Sequence, residues 1–329
     1  MVTSIILFRN NLRIHDNEAL IKALSDSNEV LPIFCFEPHL FKKTPLINAP
    51  KLGPKRLKFL KQSVKDLKQN LKDIGLNLLI SQQPAVQLIP SLIHNFPQIQ
   101  TVYSQKEIAH EEVYLEQQLD NAITPAIGEL KLYETNSLYK LEELPFKLPS
   151  LPDIFTSFRH KVEKQAKVRT VFSASNLPSC KLSSIFEYLK SEDDFLEIEN
   201  VSQSSDKACM RFKGGETESL KRLHYYLWGS KKILNYKQTR NQLLGPDYST
   251  KFSPWLANGC LSPVQIYNEV RSFEKEYGAN ESTYWVIFEL LWREYFRLSA
   301  RKHGNKIFWK NGLNASTNND EISKPTGEA

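Results

Sequence analysis

Three groups of residues in this 329-residue chain have the types and spacing to do chemistry. The first is the run Ser249, Thr250, Lys251 and Ser253, set immediately before Pro254. It bunches hydroxyls and a cation where proline favours a helix start. A helix N-terminus offers unpaired N–H groups and the positive end of the dipole, which suits a diphosphate. Ordinary capping by Ser253 accounts for the same run. The second group lies further on, where Trp285, Trp292 and Phe296 recur at spacings that share one helix face, with Glu289 inside the stripe. A carboxylate on an aromatic face is costly to bury unless it is paired or used. Such a face can stack a flat base or ring. The plainer alternative is a core stripe in which Glu289 pairs with Arg293 at i+4.

The third group sits at the carboxyl ends of predicted strands, where open α/β sheets bind ligands. It comprises Arg9, Asn10, Asn11, Glu37 and Glu107. The alternative is a solvated loop cluster in which Arg13, His15 and Asp16 only cap the first helix. Other chemistries lack their residues. The first 134 positions hold only Gly53, Gly75 and Gly128, too few for a dinucleotide fingerprint or a Walker loop. No nucleophile elbow, HExxH or CxxC occurs, and His15, His110 and His303 read as surface or capping residues.

The elements that must position these groups follow from periodicity. SIILF (Ser4–Phe8), VLPIFCF (Val30–Phe36), LNLLI, TVYS and LKLYE are short β-rich runs. Between them fall helical stretches from about Asn17, from Pro54 to a Gly75 cap, over Ala85–Asn95, and from Glu107 to about Ala122. The alternation predicts a doubly wound parallel sheet, an α/β domain over residues 1–134. Residues 135–205 read as a connector with one or two short helices, 206–312 as an all-helical domain, and 313–329 as a disordered tail. In the helical part Ser262-Pro263 opens one helix that Gly278 closes, and Ser282 caps another running towards Gly304.

Composition sets the outer limits. With 41% hydrophobic, 24% charged and 11% aromatic residues, the chain reads as globular. No apolar run approaches the ~18–20 residues of a membrane span. The chain enters SIILF almost at once, leaving no room for a signal or transit peptide. Cys35, Cys180, Cys209 and Cys260 have neither zinc nor redox spacing, which fits free thiols in a reducing compartment. An intracellular, cytoplasmic protein is expected. The formal charge of +6 permits a polyanionic partner.

Taken together, the segments resemble the photolyase/cryptochrome family, most closely its DASH branch. FRNNLRIHDNEAL (Phe8–Leu20) is similar to the family's opening motif. LPIFCFEPHLF, LGPKRLKFLKQSVKDLKQNL, LPDIFTSFRHKVE, GGETESLKRLHYYLW, YKQTRNQLLGPDYSTKFSPWLANGCLSP and STYWVIFELLWREYFR follow in family order, so the likeness runs from Ile5 to Gly312. It implies an α/β antenna domain, a linker and a helical FAD domain. It further implies that Tyr236, Ser249, Thr250, Lys251, Phe252 and Ser253 contact FAD, the last five along its diphosphate. Arg240 would meet a DNA phosphate, and Glu289 and Trp292 would receive the pyrimidine dimer as the catalytic pair. Arg293 would lie between cofactor and substrate, on the cofactor's side. Glu107 would hold a methenyltetrahydrofolate antenna.

The implied activity is blue-light-driven repair of cyclobutane pyrimidine dimers by FAD, preferentially in single-stranded DNA, whose bases flip at least cost. The implied protein is a monomer with no membrane partner. The family's later segments, including TGxPxxDA and the flavin-ring contacts, have no counterpart after KIFWKNGL. Weak FAD binding, impaired repair and self-association through an exposed apolar face are therefore expected of this chain alone. A cryptochrome-like light sensor, an inactive family fragment and a flavin-free antenna fold stay open as alternatives.

Overall fold

The computed structural model describes residues 2–44, 48–123, 128–173, 177–197, 208–309 and 312–314. Its first half alternates β1 (Thr3–Phe8), α1 (Glu18–Asp26), β2 (Glu29–Cys35), α2 (Pro54–Asp73), β3 (Leu79–Ser81), α3 (Ala85–Asn95), β4 (Ile99–Gln105), α4 (His110–Ile123) and β5 (Glu129–Tyr133). All strands pair in parallel in the order β3-β2-β1-β4-β5, with Ile5 of β1 level with Leu31 and Val102. Strand β1 is buried along its whole length, which is why it reads as an unbroken apolar run and not an alternating one. Its successive side chains still divide between the faces: Ile5 and Leu7 enter the core under α3 and α4, Ile6 and Phe8 the core under α1 and α2.

The second core does not end with the sheet. It continues from Phe59, Leu60 and Val64 of α2 into Tyr226, Trp255, Phe273 and Val286 of the helical part. That part comprises α5 (Phe155–Gln165), α6 (Glu216–His224), α7 (Tyr236–Thr239), α8 (Ser253–Ala257), α9 (Pro263–Tyr277) and α10 (Glu281–His303). A π-helical turn, Tyr225–Gly229, continues α6.

Four details differ from expectation. The connector contributes a strand, β6 (Lys181–Leu182), which pairs in parallel with the start of β2. Its two residues are too few to leave a periodic signal. The third strand is shorter than LNLLI, and Leu76 and Leu78 are buried in an irregular approach to it. Helix α4 starts at His110, so Glu107 stays in the loop, where its N–H donates to Glu116 at 2.7 Å. Helix α10 is capped by Asn280 in a reciprocal pair with Thr283, two residues before the cap expected at Ser282. Ser282 lies inside the helix, where its hydroxyl accepts from Lys237 N and donates to Gln238. The tail expected at 313–329 lies almost entirely outside the described residues.

Candidate functional site

The joint between sheet and helices is built on Arg13, which has no exposed surface. Its guanidinium donates to the carbonyls of His15 (2.9 Å), Asp16 (2.9 Å), Thr135 (2.7 Å) and Gly259 (2.8 Å), and to Asn136 Oδ1 (2.9 Å). Asp16 pairs with Arg169 and accepts from Ser262, so the N-cap of α9 is tied to the same loop. Glu216, at the start of α6, takes Ile14 N, His15 N and His15 Nδ1. The Arg13-His15-Asp16 segment is therefore more than a helix cap, a role that Asn17 fills for α1.

Beside this joint lies a cavity of about 490 Å³, lined by Asn10, Glu107, Asn136, Ser253, Arg293 and Phe296 among others. Glu107 accepts from Asn10 Nδ2 at 3.0 Å and Gln105 Nε2 at 2.8 Å. Arg293 donates to the Asn136 carbonyl at 2.8 Å. Burial, with the like charge of Arg297 adding to it, lowers the Arg293 guanidinium to about 9. Arg297 also lines the cavity, and its buried Nε has no partner among the described residues. The remaining strand-end residues divide. Arg9 is spent on Glu116 and the Glu112 carbonyl, Asn11 is fully buried, and Glu37 caps α3 through Ala85 N. Arg9, Asn10 and Glu37 border a smaller space of about 120 Å³ with His39 and Arg56.

The stretch Ser249–Ser253 is held from beneath. Buried Arg222 donates to the carbonyls of Thr250 (3.0 Å) and Ser249 (3.2 Å) while pairing with Asp247. Lys251 takes a left-handed backbone, φ +60°. Ser253 does not cap α8: Phe252 occupies that position, without a side-chain bond. Among the described residues, the hydroxyls of Ser249, Thr250 and Ser253 and the Lys251 ammonium have no protein partner. Their polar heads are free for a ligand, which fits the phosphates of a dinucleotide. Tyr236 is buried nearby in sequence, its phenol pushed up to about 12 chiefly by burial. Buried Tyr226 Oη, across from Phe252, is unpartnered among the described residues.

On α10 the aromatic stripe splits. Glu289 pairs with Arg240 at the end of α7, whose guanidinium lies 4.6 Å from the Trp285 ring centre. The expected Glu289–Arg293 pair does not form, because Arg293 donates to the Asn136 carbonyl and α7 brings in a second cation. Glu289 keeps roughly a third of its side chain exposed. Trp292 stacks on Phe155 of α5 at 3.6 Å and 11°, and on Phe296 at 5.4 Å and 25°. Glu289 and Trp285 thus form one unit with Arg240, while Trp292 joins a packed aromatic cluster. Arg222, Asn136 and Arg297 escape sequence reasoning because their partners lie far away in the chain or are absent.

The family model for DNA photolyase matches residues 4–179, from β1 through the connector. The chain belongs to the DNA photolyase family. Cryptochrome DASH of Xenopus laevis is 42% identical over 311 residues, spanning 94% of this chain and 59% of the relative. A relative from Arabidopsis thaliana, named cryptochrome DASH, chloroplastic/mitochondrial, is 42% identical over 317 residues and covered to 54%. The crystal structure of a Synechocystis sp. PCC6803 cryptochrome superposes with a TM-score of 0.88 at 39% identity, covering 95% of this chain and 64% of that one. The chain therefore spans between half and two thirds of the length of these relatives. Photolyase/cryptochrome members bind FAD and act on DNA. Among the described residues, no helix is long and apolar enough to cross a membrane.

Proposed function

We propose that this chain forms part of a flavin-dependent, light-driven enzyme that reverses cyclobutane pyrimidine dimers in single-stranded DNA. The observation that carries the reading is the run of unpartnered polar groups from Ser249 to Ser253, held by Arg222. These groups, with Phe252 and Tyr236, are the residues of this chain that would hold FAD on its diphosphate side. FAD, when bound, supplies light absorption and the electron that opens the cyclobutane ring. The chain's own residues bind and orient. Glu289, already partnered by a cation, would hydrogen-bond the dimer, and Trp292 would pack against it. Arg240 would meet a flanking phosphate and so exchange Glu289 for DNA. Arg293 would lie between cofactor and substrate.

The cavity beside Glu107 supports a second chromophore, methenyltetrahydrofolate. At about 490 Å³ it lies in the size range of small-molecule sites, roughly 300–1,000 Å³, and offers few polar groups on apolar walls. Free thiols at Cys35, Cys180, Cys209 and Cys260 suit a reducing, intracellular site of action. Only the diphosphate side of the flavin is assigned to residues of this chain, so weak FAD binding and impaired repair are expected of this chain by itself. The test is FAD titration followed by fluorescence, then illumination with a thymine-dimer oligonucleotide. Ser249→Ala with Lys251→Ala should weaken FAD at least tenfold, about 1.4 kcal/mol. Unchanged affinity in that variant would refute the assignment. Clear repair by the 329-residue chain would show that no further helices are needed.

A further inference from the structure

The chain's excess charge is not spread evenly. Helix α2 carries Lys55, Arg56, Lys58, Lys61, Lys65, Lys68 and Lys72 against only Asp66 and Asp73, a surplus of five out of the chain's +6. Its apolar residues (Phe59, Leu60, Val64, Leu67 and Leu71) are buried. Three of its cations serve the fold: Lys68 grips Asp193, Lys61 donates to the Glu197 carbonyl over the Phe195 ring, and Arg56 donates to the Lys51 carbonyl. The others do not. Lys55, Lys58 and Lys65 have no ion-pair or hydrogen-bond partner among the described residues, and Lys72 adds only its field at Asp193.

These four fall on one stripe, at i, i+3, i+10 and i+17, with Gln62 and Gln69 between them and a single acid, Asp73, at its far end, where it accepts from Gln69 Nε2 at 2.8 Å. At 1.5 Å per residue the stripe is about 25 Å long, and its last three cations stand about 10 Å apart. The arrangement is poor for an isolated helix. Like charges at i+3 and i+4, such as Lys55–Lys58 and Lys65–Lys68, each cost a few tenths of a kcal/mol, on the order of 0.2–0.5. The first turn holds cations and no acid, against the helix dipole. A solvated face selected for stability would alternate its signs.

We propose that the Lys55–Lys58–Lys65–Lys72 stripe of α2 is a second docking surface, which takes the phosphate backbone of a nucleic acid strand without reading its sequence. It lies apart in sequence from the Arg240–Glu289 unit and goes beyond the dimer reading, because it requires neither flavin nor lesion. A strand carries one charge per ~3.4 Å of duplex axis, so the stripe matches about seven nucleotides. An anionic bilayer fits less well, since the apolar face an interfacial helix would insert is occupied by the core.

The experiment is fluorescence anisotropy of an undamaged oligothymidylate bound to the full chain, across a salt series. It is repeated with Lys55, Lys58, Lys65 and Lys72 all changed to Gln. A control variant carries Lys22→Gln, Lys106→Gln, Lys190→Gln and Lys275→Gln, four exposed cations elsewhere. Each lost phosphate contact lowers the salt slope by about 0.7 on a single strand, so the stripe variant should lose about 2–3 from the slope and bind at least ~10-fold more weakly at low salt. The control should keep most of both. An unchanged slope overturns the proposal, as does an equal loss in the control, which would reduce the effect to net charge. Loss of binding to phosphatidylserine vesicles with oligonucleotide binding intact also overturns it. The ratio of dimer-containing to undamaged affinity reports separately on the dimer reading: Arg240→Ala should lower it, and the stripe variant should leave it unchanged.

Discussion

Replacing Arg13 tests whether the joint between sheet and helices rests on one side chain. Arg13 makes five hydrogen bonds, four to main-chain carbonyls and one to Asn136. Bonds from a charged donor contribute on the order of 1.5–3 kcal/mol each before the cost of burying the charge, which is several kcal/mol. The balance puts Arg13→Met at about 3–5 kcal/mol of lost stability, the range for breaking a buried ionic network. Arg13→Lys keeps the charge but has three donors for five acceptors, so about 2 kcal/mol is expected. Urea unfolding followed by tryptophan fluorescence and far-UV circular dichroism gives the midpoint shift. In a heat scan each kcal/mol should appear as roughly 2 °C. The variant should also loosen the end of α8, which Arg13 holds through the Gly259 carbonyl, and so weaken any ligand at Ser253. A loss below about 1 kcal/mol in Arg13→Met would refute the view that these acceptors depend on it.

Three further outcomes follow from the same joint and its neighbours. Gly259 has φ +67°, and an added Cβ would lie 1.8 Å from the Asn10 carbonyl oxygen, so Gly259→Ala should cost more than about 2 kcal/mol in urea unfolding. The Glu216 hydrogen bond raises the His15 pKa against the opposing effect of burial. Its stabilisation is complete below the unfolded imidazole value of about 6.5 and is lost as pH rises through the higher folded value. The stability gap between wild type and His15→Gln should therefore narrow as pH is raised above 6.5 in buffered urea titrations. Phe155, buried and stacked on Trp292, should cost about 3 kcal/mol when changed to Ala, with a red shift of tryptophan emission; an unchanged spectrum would contradict the stack.

Local patterns carried much of the architecture. Strand β1 announces itself by an apolar run because both of its faces are covered, and α2 by apolar residues three and four apart. Gly75, at φ +80°, Ser262 and Gly278 mark helix ends because each relieves a backbone constraint that is local. The cap of α10 was misplaced because Asn280 and Ser282 both suit an N-cap, and only the reciprocal bond to Thr283 selects between them.

The sequence by itself determined the longer elements, their α/β then helical succession, and the residue types available for binding phosphate and stacking rings. Tertiary structure alone decided which of them meet. Glu289 takes Arg240 and not Arg293, because α7 packs on α10 while a main-chain carbonyl claims Arg293. Arg222, some 27 residues earlier, holds the carbonyls of Ser249 and Thr250, whose hydroxyls have no partner among the described residues. Trp292 stacks on Phe155 from the connector, more than a hundred residues away. Such pairings depend on distances between segments, and periodicity along a chain reports only on neighbours within a turn or a strand.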